Sequence, residues 1–531
     1  MSIPTATVFN ENYRPRAASA APAPLRHVVI VGGGSAGWMA AMMLGDALLA
    51  RGTRVTVLES PAVGIIGVGE GSTPWLRGFF DRLGIEEAEW MPACHATYKC
   101  GITFDGWCTK PGFESYFHPF ASMLDNLTLP QFVHNVDARV QGMDLPVRPE
   151  RFFIAGRLAA ERRAPRPARN FPFDVWYGYH FDAVLLGQFL QRKAVDRGVV
   201  HRACHVAEVA RHENGDIAAV VTKEGERIEG DFFVDCTGFA GLLIQKSLET
   251  PFVGYGDNLF NDAAVAMPTP MEHDIPSETI SSAMRHGWAW KIPLTERYGN
   301  GYVYSSAACS ADEAERELRE RLGMLDSPVE ARHLKMRTGR VTRHWNRNCL
   351  AVGLSQGFIE PLEATALLFV QRTLQGFVEA LERGELDEPA RERFNARLNE
   401  HFEGTRDYIV THYKTNTRTD TEYWRANAAN MNLSPALQAL FGRWLTHHSI
   451  AADVRQQRLG KGYPVFSWYC ILAGMGLFPD ELEPAAEGAG YRVEPIENLL
   501  ARSAKNFPRQ RELLRAIPPR PTEEALQIYF G

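Results

Sequence analysis

Three glycines, Gly32, Gly34 and Gly37, fall in the spacing G-x-G-x-x-G. In such a turn the first glycine permits a tight bend. The second lets a pyrophosphate approach the backbone, and the third lets the following helix pack against the strand. Ser35 and Ala36 sit where that helix begins, and there the N–H groups that the helix does not use point at an anion. Glu59, 22 residues after Gly37, stands where an acid would accept the ribose hydroxyls. The chemistry indicated is dinucleotide binding. A chance glycine cluster is the alternative.

The elements around the turn support the first reading. "HVVIV" (27–31) is the short β-branched run of a buried parallel strand, "SAGWMAAMMLGDALLA" reads as a helix, and "RVTVLES" as a second strand. This is a βαβ unit. Residues 100–180 are rich in aromatics, Pro and Gly without a clear period. The segment 204–240 alternates like a β-meander with turns at "ENGD" and "KEGE". From residue 362 onward helical spacing dominates. The expected organisation is a poorly ordered Pro/Ala-rich extension over 1–24, an α/β module over 25–370 with inserted elements, and a mostly helical part over 371–531.

Composition excludes several classes. The chain has 531 residues, 45% hydrophobic and 23% charged, with a net charge of −6, so a basic nucleic-acid surface is not expected. Its apolar stretch at 28–50 is broken by "GGGSAG" and is no membrane span. The eight cysteines are scattered, with no CxxC pair and no metal-ligand spacing. That pattern reads as reduced thiols in the cytoplasm, with no metal site.

Two later segments choose among dinucleotides. "DFFVDCTGFAG" resembles the second flavin-contacting strand of two-dinucleotide-fold flavoproteins, with Asp235, Thr237 and Gly238 at the matching places. "NRNCLAVGLSQGFIEPLEATAL" has a strand, then Gly353, then a loop entering a helix, the order found in class A flavin monooxygenases. FAD is therefore expected. Taken with "GGGSAGW", "GVGEGSTP" (67–74, with Gly69), "ATYKCGITF", "GWAWKIP" and "GFIEPLEATA", all in order, the chain resembles the flavin-dependent tryptophan halogenase family.

The resemblance implies a Rossmann-like, FAD-binding, flavin-monooxygenase-like fold, with a C-terminal part that closes the substrate pocket. It implies that reduced FAD from a separate flavin reductase meets O₂ to give a C4a-hydroperoxide, and that chloride or bromide takes the distal oxygen as hypohalous acid. The oxidant then crosses a tunnel to an electron-rich, indole-type aromatic substrate. The family's lysine matches Lys99 and its glutamate matches Glu363. A lysine whose pKa burial lowers can hold a polar oxidant, and a carboxylate can take the arene's proton. Read alone, Lys99 is equally a surface lysine and Glu363 a first-turn glutamate. The complete W-x-W-x-I-P motif, Trp288, Trp290, Ile292 and Pro293, is implied to wall the tunnel. A Trp-rich core strand is the plainer reading, and the two are compatible.

The halide is expected on backbone N–H groups of Thr365 and Ala366. Here the family's P-L-E-S-T-G reads Pro361-Leu362-Glu363-Ala364-Thr365-Ala366, and Ala366 reaches positive φ less cheaply than glycine. His118, Phe120, Phe466 and Trp468 are the expected substrate contacts. No stretch matches the one with which family members grip the amino-acid end of free tryptophan, so an indole derivative, a peptidyl residue or another electron-rich arene is equally open. The rivals are an FAD-dependent aromatic hydroxylase and a halide-inactive FAD-binding relative. Regioselectivity, halide and oligomeric state, a homodimer included, are left open.

Overall fold

The structure is a computed structural model that describes residues 25–64, 69–168, 170–456, 462–485, 488 and 490–517. The expected extension at 1–24, Gly67 and Val68 of "GVGEGSTP" and Lys461 lie outside them. Strand β1 (His27–Val31), helix α1 (Ser35–Leu48) and strand β2 (Arg54–Glu59) form the βαβ unit read from the sequence. β1 is wholly buried because it lies centrally, pairing in parallel with β2 on one side and with Phe232–Asp235 on the other. The sheet continues through Cys349–Ala351 and Val200–Ala203, with an antiparallel edge at Trp345–Asn346.

Region 100–180, irregular by sequence, is ordered by partners far away in the chain. β3 (Thr97–Lys99) and Gly69–Gly71 flank β4 (Gly178–Asp182) in a small antiparallel sheet. Gly101–Asp105 and Ser115–Pro119 join a seven-stranded sheet through Thr279–Ala283. That sheet carries β5 (Gly287–Pro293), so "GWAWKIP" is a strand, paired on both sides. Trp288, Trp290 and Ile292 face one way and enter the same core as the C-terminal helices. Local periodicity carries no record of such pairing.

Helix α2 (Ala366–Arg383) and helix α3 (Glu388–Lys414) link the layers. α2 packs on α1, and its Leu367, Val370 and Leu374 share the core of the dinucleotide sheet. Its Phe369 stacks on Phe402 of α3 in the other core, with ring centroids 4.0 Å apart. The boundary expected near residue 370 thus falls inside a helix that serves both cores. Among the described residues no helix is long and apolar enough to cross a membrane, and no group of three His, Cys, Asp or Glu is placed for a metal.

Candidate active site

The dinucleotide turn is built as its spacing predicts. Gly32 has φ +113°, and a Cβ there would collide with the Cys236 carbonyl. A Cβ on Gly37 would strike the Gly32 carbonyl. Beside Gly34, by contrast, an added Cβ meets nothing within 4 Å. Gly34 caps α1 with no side-chain cap and no acid in the first turn, so the helix N–H groups face open space. Ser35 bonds the Ala183 carbonyl and Ala36 lies against Gly353, whose φ is +74°.

Glu59 ends β2 and is held by His201 Nε2 at 2.9 Å. Asp235 accepts the N–H groups of Thr237, Leu243 and Ile244 and the Thr237 hydroxyl. It therefore shapes the turn that presents Gly238, whose φ is +66° and whose Cβ position is open. Gly69 packs against Gly299 and Ile292. The open N-terminus, the ribose-ready acid and the second open glycine turn fit FAD.

Lys99 ends β3 and is 1% exposed. Its ammonium makes no hydrogen bond and no ion pair among the described residues. It lies 5.5 Å from the centroid of the Phe120 ring and presses on Gly71. Burial lowers its pKa to about 8, with Glu363 opposing the shift. The strand is anchored through Thr97, whose hydroxyl donates to the Pro293 carbonyl at 2.7 Å. That uses the only hydroxyl proton, so His180 Nδ1, 3.1 Å away, must donate to Thr97. His180 Nε2 then accepts from Thr279 at 2.9 Å. The ring stays neutral because burial, then Lys99, hold its pKa well below the ordinary value. The proline of the Trp motif thus positions the lysine strand.

Glu363 lies in a 3₁₀ turn just before α2 and is 6% exposed. Burial favours its neutral form, but His118, His412 and Lys99 together outweigh burial and hold its pKa below the ordinary value. His412 Nε2 is 3.1 Å from Glu363 Oε1, although the two are not aligned as a hydrogen bond. His412 Nδ1 lies 3.1 Å from the Tyr408 carbonyl, which can only accept, so Nδ1 carries a proton.

The remaining candidates divide. His118 is buried, its Nε2 shared by Tyr408 Oη at 2.8 Å and Ser467 Oγ at 3.0 Å. Phe120 is partly exposed beside Lys99. Trp468 is fully buried edge-on against Tyr408, and Phe466 packs on Phe153. These last two support the wall behind Tyr408. Tyr463, partly exposed, stacks on the Tyr408 ring at 3.6 Å.

Trp288 donates its indole N–H to Glu360 at 2.9 Å, and Asn261 and Tyr413 donate to the same oxygen. Trp290 lies over Gly301, where any Cβ would collide with the indole. The Trp strand is therefore buried core. His412, Tyr408, Tyr463 and Glu360 were not singled out by sequence. A histidine or tyrosine on a helix gives no local sign of which group it will meet.

In the loop expected to take the halide, Thr365 is 2% exposed and Ala366 is the first residue of α2, exposed and helical. The positive φ expected at Ala366 falls on Ala364, at +55°. No acid or side-chain cap occupies the α2 N-terminus, so its N–H groups can take an anion.

A sequence profile described as tryptophan halogenase matches residues 27–491. The chain is 38% identical over 486 residues to tryptophan 6-halogenase SttH of Streptomyces toxytricini, covering 86% of this chain and 91% of that one. It is 36% identical over 518 residues to tryptophan 7-halogenase RebH of Lentzea aerocolonigenes, covering 92% and 96%. The crystal structure of SttH superposes with a TM-score of 0.82 at 36% identity, covering 93% of this chain and 99% of that one.

Proposed function

The chain belongs to the tryptophan halogenase family, and from that premise we propose that Lys99 and Glu363 carry the halogenation of an indole ring. It is a flavin-dependent halogenase, an oxidoreductase that uses FAD and a halide. Bound and reduced, FAD supplies with O₂ the two-electron oxidation that turns halide into hypohalous acid. The proposed partners are a separate flavin reductase and a small aromatic substrate, and the proposed location is the cytoplasm.

One observation carries the residue assignment: Lys99 is a buried amine with no hydrogen-bond or ion-pair partner among the described residues. A charge taken from water without a partner costs stability, and a site that retains one uses it. With a pKa of about 8 the amine is mostly protonated at neutral pH. It donates to the oxygen of the hypohalous acid. The carbon–halogen bond forms as the oxygen–halogen bond breaks, and that oxygen leaves as water with the lysine's proton. The Glu363 carboxylate takes the proton from the ring carbon and returns it to Lys99. His118, His412 and Lys99 together favour the ionised form of Glu363, and His412 also orients it.

Thr365 and Ala366 offer backbone N–H groups to the halide at the start of α2. Trp288 and Trp290, with Ile292 and Pro293, wall off the ring from the dinucleotide, and Phe120 packs on the substrate. SttH and RebH are named for action on tryptophan, so the tryptophan indole is the proposed ring. Turnover with FAD, a flavin reductase, NADH, O₂ and each halide, offering indole, free tryptophan and a tryptophan peptide, tests this by mass spectrometry. A halogenated arene supports it, and a hydroxylated one contradicts it.

A further inference from the structure

Glu360 is wholly buried, and the chemistry above gives it no part. Its Oε2 takes three donors: the Trp288 indole N–H at 2.9 Å, Asn261 Nδ2 at 2.9 Å and the Tyr413 hydroxyl. Each of the three residues is at most 2% exposed. The directions are fixed. Indole and amide N–H groups can only donate. Tyr413 accepts from Asn261 Nδ2 and so gives its one proton to Glu360. The Tyr423 hydroxyl donates to Asn261 Oδ1 at 2.9 Å and holds the amide in that orientation. Glu360 Oε1 has no partner among the described residues, so the carboxyl group is held through Oε2 alone.

These bonds join three elements at the turn that carries Glu363. Glu360 immediately precedes that turn, Pro361–Glu363, and its carbonyl accepts the Leu362 N–H at 2.9 Å. Trp288 belongs to β5 and Tyr413 to α3. Tyr413 follows His412, so two neighbouring residues of α3 meet two acids three apart in the chain, Glu360 and Glu363. The two indoles of the Trp motif differ in this respect. Trp290 has a buried N–H with no partner among the described residues, whereas Trp288 is tied by a hydrogen bond to the Glu363 turn.

We propose that Glu360 is a positioning residue that locks the Trp288 indole to α3 and to the Glu363 turn, and so keeps the oxidant inside the protein on its way to the ring. The inference rests on the reading that Trp288 walls the path to Lys99. What matters is where the acceptor oxygen stands, not the charge it carries. Glutamine puts a carbonyl oxygen in the same place without the charge, whereas aspartate keeps the charge and withdraws it by one methylene.

Two readouts on the FAD-loaded protein test the proposal. In the first, tryptophan is isotope-labelled for NMR, and solvent exchange of the Trp288 indole N–H is followed, its signal assigned by loss in Trp288→Phe. Glu360→Gln is expected to exchange within about 2-fold of the wild type, and Glu360→Asp at least ~10-fold faster, as loss of one hydrogen bond to a charged group implies. In the second, a flavin reductase, NADH, O₂, bromide and indole are supplied. Hypobromous acid trapped outside the protein is measured per brominated indole formed. That ratio is expected to rise about 10-fold in Glu360→Asp and to stay near the wild-type value in Glu360→Gln. Adding Glu360→Asp to Trp288→Phe is expected to raise it no further than Trp288→Phe alone. Slow exchange retained in Glu360→Asp overturns the proposal. So does a constant ratio while total turnover falls, the mark of a merely structural role. An additive effect in the double variant, or a leak in Glu360→Gln equal to that in Glu360→Asp, overturns it as well. The exchange readout needs no turnover, so failure of the halogenase reading shows separately, as a wild type that forms no brominated indole.

Discussion

His412 Nε2 stands 3.1 Å from Glu363 Oε1, with both side chains buried. The other nitrogen of the ring is committed to the Tyr408 carbonyl. The ring therefore sets its second nitrogen against the carboxylate proposed as the acceptor of the arene's proton.

Glu363→Gln is expected to lower kcat by about 10²- to 10⁴-fold. His412→Gln acts through Glu363. The carboxylate works when ionised, so the rate falls as pH drops through its pKa, and His412 is one of the groups keeping that pKa low. Its removal is expected to move the acid limb of the kcat profile to higher pH. A lower rate with an unmoved acid limb contradicts the assignment.

Lys99 should weaken the fold at neutral pH. Its pKa is about 8 in the folded chain, against 10.5 ordinarily. Below 8 both states are protonated and the cost of burying the charge is fully present. Between 8 and 10.5 the unfolded chain binds more protons, so stability rises with pH. Lys99→Met is therefore expected to melt higher than the wild type at pH 7, and the gain should shrink as pH rises from 8 toward 10.5. Parallel melting curves across that window contradict the burial argument.

The loop over 361–366 holds two alanines of opposite conformation. Ala364, at φ +55°, lies in the left-handed region, whereas Ala366 is helical. Ala364→Gly is expected to stabilise by up to about 1 kcal/mol. Ala366→Gly, inside the first helical turn, is expected to destabilise by about 0.5–1 kcal/mol. Denaturant midpoints of the two variants check the opposite signs.

The dinucleotide turn was legible because its requirements are local: Gly32 needs a positive φ, and Gly37 needs closeness to its own strand. Lys99 and Glu363 were legible only through resemblance, since no spacing along the chain relates residues 264 positions apart. His412 was not legible at all, because its partner arrives from the turn before α2. The Trp strand shows the middle case, in which alternation put Trp288 and Trp290 on one face but could not reveal Glu360 waiting for the indole N–H.

The most direct test of the central claim follows hypohalous acid and product together. Wild type and Lys99→Met are supplied with FAD, a flavin reductase, NADH, O₂ and bromide. Hypobromous acid is trapped in one sample and brominated indole is measured in another. If Lys99 delivers the halogen, the variant still forms hypobromous acid while its product falls by about 10³-fold or more. Product formation that persists in Lys99→Met at a rate close to that of the wild type contradicts the account.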